Sequence, residues 1–245
     1  MRVLDLFSGI GGFSLGLERA GMTTVAFCEI EPFCRAVLAK HWPGVPCYDD
    51  IRTLTAERLA ADGIVFDIIA GGFPCQDISI AGGGAGLAGA RSGLWRDHFR
   101  LIRETRPRLV IIENVAALRS RGGDEIAADL VGAGFALWPF VVGAAHAGAH
   151  HYRARSFVIA HARGERLPTP ERAGGNIAGQ TAAEVGEAVT ERARWADQPG
   201  VGRVVHGVPG RVDRIKSLGN AVCPQVAEII GRAIIAAATM NEAAA

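Results

Sequence analysis

In the stretch Gly71-Gly72-Phe73-Pro74-Cys75-Gln76 a cysteine follows a short apolar run and sits beside a proline in a glycine-rich bend. A cysteine used for packing belongs within an apolar run, where its thiol behaves as a small buried hydrophobe. Cys75 is instead displayed, which is the placement of a reactive group rather than of a filler.

A second constellation lies in the opening "VLDLFSGIGGFSLGLERAG", where a short strand meets a glycine-rich turn and then a helix beginning near Gly12. Gly9, Gly11 and Gly12 permit positive φ and close backbone approach, and the helix N-terminus presents free amides. That geometry makes room for a nucleoside. The order Phe-Ser-Gly-Ile-Gly-Gly departs from the G-x-G-x-x-G fingerprint and brings no phosphate-binding lysine, which disfavours NAD and ATP. Glu29 ends the second strand, at the distance where a carboxylate accepts bonds from ribose hydroxyls, and Asp50 closes the next unit, where it could meet an adenine amine. Either carboxylate alone reads better as a solvated loop residue; together they sharpen the case for a nucleoside site.

These residues carry a resemblance: the chain resembles the DNA (cytosine-5)-methyltransferases. "DLFSGIGG" is similar to the family's S-adenosylmethionine motif, "GGFPCQDIS" to its nucleophile loop, "ENV" at Glu113 to Val115 to its acid motif, "HYRARSF" to its arginine motif and "LGNAVCPQ" to its C-terminal return. The landmarks keep the family's order and cover most of residues 1 to 160 and 205 to 235.

The resemblance implies a mechanism. Carbon 5 of cytosine is too weak a nucleophile to take a methyl group from a sulfonium until a nucleophile has added at carbon 6, and Cys75 would be that nucleophile. A free thiol ionises at about 8.5, so amides in the bend or a nearby arginine would help supply the thiolate. Glu113 would hold a proton at nitrogen 3, with its pKa raised by desolvation. Asn114 would orient the loop, Arg153 would meet oxygen 2 of the base, and Arg155 would brace the site or bind phosphate.

For the cofactor, S-adenosyl-L-methionine giving S-adenosyl-L-homocysteine, the resemblance implicates Phe7, Ser8, Gly9, Ile10, Gly11 and Gly12 in the turn. Glu29, Ile30, Asp50, Ile51, Gly72, Pro74 and Leu94 follow around the pocket, and Asn220 and Ala221 complete it. Gln76, Ser79 and Arg91 are the expected substrate contacts, in or next to a glycine-rich segment, Ser79 to Gly93, that would close over a base flipped out of double-stranded DNA. No metal is expected.

Around these residues the chain alternates short β-rich apolar runs with segments of helical period, which predicts an α/β fold: a doubly wound, mostly parallel Rossmann-like sheet with a small irregular insert. Strands are expected over Val3 to Phe7, Thr24 to Cys28, Asp67 to Ala70, Leu109 to Glu113, Leu137 to Val142 and Ser156 to Ala160. In "SGLWRDHFRLIRE" Leu94, Trp95, Phe99, Leu101 and Ile102 share one helical face, with Ser92 as candidate N-cap. A helix is expected from Gln225 to about Met240, with Pro224 just before its first turn. The expected organisation is a catalytic and cofactor-binding unit over 1–162, a target-recognition insert over 163–208, and a C-terminal segment, 209–245, that returns to the first unit.

The insert is short for a region that must read base edges. Arg172, Arg192, Arg194, Arg203, Arg211, Arg214 and Trp195 are its candidate contacts, and a short target sequence, relaxed specificity or a protein partner would each fit. His150 and Tyr152 depart from the family's usual residues before the arginine motif. Two rival functions use the same parts: a transfer-RNA cytosine methyltransferase, whose Cys-Phe-Thr signature is missing here, and a DNA-binding relative without activity. The compact insert also resembles phage-encoded members.

Composition fits an enzyme of this kind. The chain has 245 residues, 49% of them hydrophobic, enough to enclose a core without disulfides. Its five cysteines form no paired framework and no metal-like spacing, which predicts a reducing cytoplasm, and the resemblance implies that of a bacterial or phage-infected cell. A net charge of +1 hides a balance in which only Lys40 and Lys216 are lysines and the other cations are arginines. No signal peptide or membrane-length apolar run is expected, and the chain is expected to act as a monomer.

Overall fold

The computed structural model describes residues 1–74, 93–120, 122–163 and 210–242. Cys75, Gln76, Ser79, Arg91 and Ser92, and all but one residue of the expected insert, lie outside the described residues.

Seven strands form one sheet: β1 (Arg2–Leu6), β2 (Thr23–Cys28), β3 (Cys47–Tyr48), β4 (Ile68–Gly71), β5 (Leu109–Val115), β6 (Phe135–Gly143) and β7 (Ala154–Ala162), in the order β3-β2-β1-β4-β5-β7-β6. The first five run parallel, and β7 is antiparallel to both β5 and β6. Parallel strands are covered on both faces, so they read as near-continuous apolar runs, as "VIIENV" does. All six expected strands are present. β3 has two residues, too few to leave a period in the sequence.

The described helices are α1 (Gly12–Arg19), α2 (Pro32–His41), α3 (Ala56–Ala61), α4 (Leu94–Thr105), α5 (Gly123–Gly132), α6 (Arg211–Asn220) and α7 (Pro224–Glu242). They cover the two faces of the sheet and define two cores. One gathers Leu4, Leu6, Ile69, Trp95, Leu101, Ile102, Ile112 and Ile126 beneath α3, α4 and α5. The other gathers Val3, Phe13, Leu17, Ile68, Ile111, Val226, Ile230 and Ile234 beneath α1 and α7. In α4 the expected apolar face is the buried one, with His98 added to it, and Gly93 stands at the N-cap.

Composition alone makes Arg211–Thr239 long and apolar enough to cross a membrane, contrary to the expectation that no run would be. In the fold this stretch is two helices interrupted at Ala221–Cys223, and α7 buries Val226, Ala227, Ile230 and Ile234 against α1 and the sheet. Burying each large apolar side chain is worth roughly 1.5 to 3 kcal/mol. That outweighs the roughly 1 kcal/mol that a glycine costs within a helix, and Gly16 of α1 and Gly231 of α7 are what allow the two helices to meet. A Cβ on Gly231 would lie 2.7 Å from Ala20 Cβ, and one on Gly16 would overlap the Pro224 carbonyl oxygen.

Candidate active site

The parallel strands all point their C-terminal ends at one rim, and register fixes what gathers there. Leu6 pairs with both Cys28 and Gly71, and Gly71 pairs with Ile112, so Phe7, Glu29, Gly72 and Glu113 each follow a paired position on neighbouring strands. Asp50 lies two residues beyond β3. The chain departs from β1 to one side and returns through β4 on the other, the switch point where open α/β sheets hold ligands.

At β1 the turn is tight. Phe7 and Gly9 have φ of 54° and 55°, Gly11 has 85°, and Gly11 N donates to Ser8 O at 2.9 Å. A side chain at Gly11 would collide with the Trp42 ring, 2.5 Å from a built Cβ, while above Gly9 there is open space. Glu29 is held by two backbone donors, Gly9 N to Oε2 at 2.7 Å and Glu31 N to Oε1 at 2.8 Å. Each oxygen keeps a second acceptor position. Asp50 takes a bidentate grip from Arg52, which holds its carboxyl below the usual range and keeps it an acceptor. The rim therefore offers carboxylate acceptors, open backbone at Gly9 and an exposed Ile30, the surface that a hydroxylated nucleoside would fit.

Other expected pocket residues are placed differently. Gly12 is expected to open room for a ligand, yet a Cβ there would overlap the carbonyl oxygen of Val222, so the space is taken by the returning chain. Ile51 is 4% exposed and packs in the core beneath α3 and α4 rather than lining a free wall. Leu94 is half-buried against that same core, Pro74 is exposed, and Gly72 abuts the catalytic candidate: its Cβ would stand 2.8 Å from Glu113 Oε2. Asn220 ends α6 and Ala221 caps it.

Glu113 and Asn114 lie just before the last residue of β5, Val115, with both side chains buried. Asn114 donates Nδ2 to Phe73 O at 3.1 Å, two residues before Cys75, and its Oδ1 accepts from Val115 N. Arg155 Nε lies 2.9 Å from Glu113 Oε1. Despite that partner, burial pushes Glu113 up to about 7; Arg155 and Arg153 pull it down without prevailing. An ion pair and a raised pKa coexist here because the carboxylate has lost nearly all its water and gained one partially exposed guanidinium.

The resemblance put Arg153 on the base and Arg155 in a bracing role. In the structure the arginine on Glu113 is Arg155, while Arg153 donates Nη2 to Gly219 O at 2.7 Å and to Ala221 O at 2.8 Å. Both still line one cavity with Glu113, Val142, Val222 and Cys223.

Three contributors escape the sequence reading. Asp5, fully buried in β1, accepts from the Ser14 hydroxyl at 2.6 Å and so ties the strand to the helix beyond the turn; burial raises it to about 7. An acidic residue inside an apolar strand was the available signal. His98 packs on Phe7, Phe73 and Trp95, and its place three residues after Trp95 put it on the buried face. Cys223 lies in the returning segment "LGNAVCPQ", and nothing around it signals that it lines the cavity. Among the described residues no cluster of His, Cys, Asp or Glu could hold a metal ion.

Residues 1–192 match the family described as C-5 cytosine-specific DNA methylase. Among individual relatives, the Type II methyltransferase M2.BsuMI of Bacillus subtilis is 47% identical over 119 residues, which is 47% of this chain and 29% of that protein. M.AquIA of Picosynechococcus is 29% identical over 187 residues, 69% of this chain and 75% of that one. A solved structure of a candidate DNA modification methyltransferase encoded in an E. coli prophage superposes with a TM-score of 0.60 at 30% identity, over 70% of this chain and 49% of that one. The chain thus spans about 29% of M2.BsuMI and about half of the prophage protein.

Proposed function

From the membership of this chain in the C-5 cytosine-specific DNA methylase family, we propose that it methylates carbon 5 of a flipped-out cytosine in double-stranded DNA. The observation that carries the reading is Glu113, a buried carboxyl whose pKa burial raises to about 7, held beside Arg155 one strand away from the segment leading to Cys75. A carboxyl with that pKa both carries and releases a proton at neutral pH.

S-adenosylmethionine, when bound, supplies the electrophilic methyl group. The chain's residues do the rest. Cys75 adds to carbon 6 of the cytosine, Glu113 holds the proton at nitrogen 3 that makes this addition favourable, and Arg155 stabilises the charge that develops beside it. Loss of the carbon 5 proton and departure of the Cys75 thiolate then restore the ring. Phe7, Gly9, Glu29, Ile30 and Asp50 would hold the cofactor's nucleoside, the Glu29 acceptor positions suiting ribose hydroxyls. Residues 163–208 would serve as the target-recognition insert, alone or with a protein partner. A cytoplasmic role beside a Type II restriction system, or as a phage-borne enzyme, fits the relatives named above.

The test is incubation with S-adenosylmethionine and duplexes carrying 5-fluorocytosine in varied contexts, followed by denaturing electrophoresis. Fluorine cannot leave as the proton does, so a stable protein–DNA adduct is expected, and Cys75→Ser should abolish it. An adduct with transfer RNA and none with duplex DNA would move the substrate assignment to RNA.

A further inference from the structure

The connection between α6 and α7, Ala221–Cys223, is gripped from two sides together with the helix residues that flank it. On one side Arg153 donates to the carbonyls of Gly219 and Ala221. On the other, the space where side chains would stand on Gly12 and Gly16 of α1 is filled by the carbonyl oxygens of Val222 and Pro224. The same connection supplies Val222 and Cys223 to the wall of the cavity that holds Glu113 and Arg155. It is therefore a shared wall between the cofactor turn and the catalytic cavity.

We infer that Arg153 is a positioning residue for the cofactor: by clamping the 219–221 carbonyls it presses this connection onto the start of α1 and so fixes the glycine turn. Its backbone supports the role. Arg153 has φ of 36°, a left-handed conformation that a non-glycine side chain adopts at a cost, one residue before β7 begins. Ordinary strand alternation would set residue 153 on the face of Arg155. The left-handed turn instead accompanies its bonds to the connection, leaving Arg155 with Glu113. One cationic nitrogen suffices for the task, because the two N–H groups of Nη2 reach both carbonyls, and the last carbonyls of a helix attract a cation.

The inference rests on the cofactor reading above, and calorimetric titration with S-adenosylhomocysteine separates the two. Arg153→Gln should weaken binding at least tenfold, Arg153→Lys should restore it to within about threefold of wild type, and Arg155→Gln, which leaves the clamp intact, should bind as wild type does. Stoichiometry counts folded protein, so a variant that merely unfolds lowers the stoichiometry and keeps the affinity, which would overturn the inference. Amide hydrogen exchange at 219–223 should accelerate in Arg153→Gln even without ligand; unchanged exchange would also overturn it. A wild-type protein that binds no S-adenosylhomocysteine would overturn the cofactor reading, and the inference with it. Wild-type binding with equal affinity in Arg153→Gln would overturn the inference alone.

Discussion

Arg155 Nε lies 2.9 Å from Glu113 Oε1, across the antiparallel pair in which Glu113 faces Phe157 and Val115 faces Arg155. The two side chains are diagonal neighbours on one face of the sheet, a relation that brings long side chains together. Burial, opposed by Arg155 and more weakly by Arg153, sets the carboxyl between proton donor and carboxylate at neutral pH.

That balance gives a pH dependence. With Glu113 at about 7, the protonated form dominates below that value and falls tenfold per unit above it. Single-turnover methyl transfer to duplex DNA should therefore decline above pH 7, and Glu113→Gln, which keeps an N–H donor and cannot titrate, should remove that limb while lowering the rate by about 10² to 10⁴. A carboxyl raised on folding from its ordinary 4.5 contributes stability fully below that value and loses it as pH rises through 7. Unfolding midpoints measured from pH 4 to 8 should show that loss shrink in the Gln variant.

Removing Arg155 leaves Glu113 without its main cation. Arg155→Gln should shift the alkaline limb upward, since this cation is the first influence pulling the pKa down. It should also lower kcat by about 10² to 10³, the usual loss for one donor to a developing charge. A pH–rate profile read beside wild type checks both.

Gly16 is a packing residue. An alanine at this helical position would gain about 1 kcal/mol in propensity, but its Cβ would overlap the Pro224 carbonyl and press on Ala227. Forced overpacking usually costs about 1 to 3 kcal/mol, so after the propensity gain Gly16→Ala should lower stability in urea denaturation by up to roughly 2 kcal/mol. A stabilised variant would show that α7 moves aside readily.

His98 is fully buried, and among the described residues neither ring nitrogen finds a hydrogen-bond partner. Burial lowers its pKa to about 3 from an ordinary 6.5, so the unfolded chain takes up the proton first and stability falls as pH drops below 6.5. His98→Leu should stabilise the protein by about 1 to 3 kcal/mol through removal of unpaired polar atoms. The gain should be larger at pH 5 than at pH 8. Equal unfolding midpoints at both values would count against this account.

The sequence by itself determined the parts that depend on neighbours along the chain. Strand and helix periods and the glycine turn after β1 follow from dihedral preferences and burial patterns a few residues long. Glu113, Asn114 and both arginines were named by the resemblance of "ENV" and "HYRARSF" to the family's motifs. Only the tertiary structure decided what each meets. Arg153 and Arg155 have equal standing in "HYRARSF", and a left-handed φ at Arg153 together with the β5–β7 register sends one to the 219–221 carbonyls and the other to Glu113. Gly12 looked like room for a ligand because its partner, Val222, is 210 residues away, and close packing between segments that distant leaves no trace in either one's period.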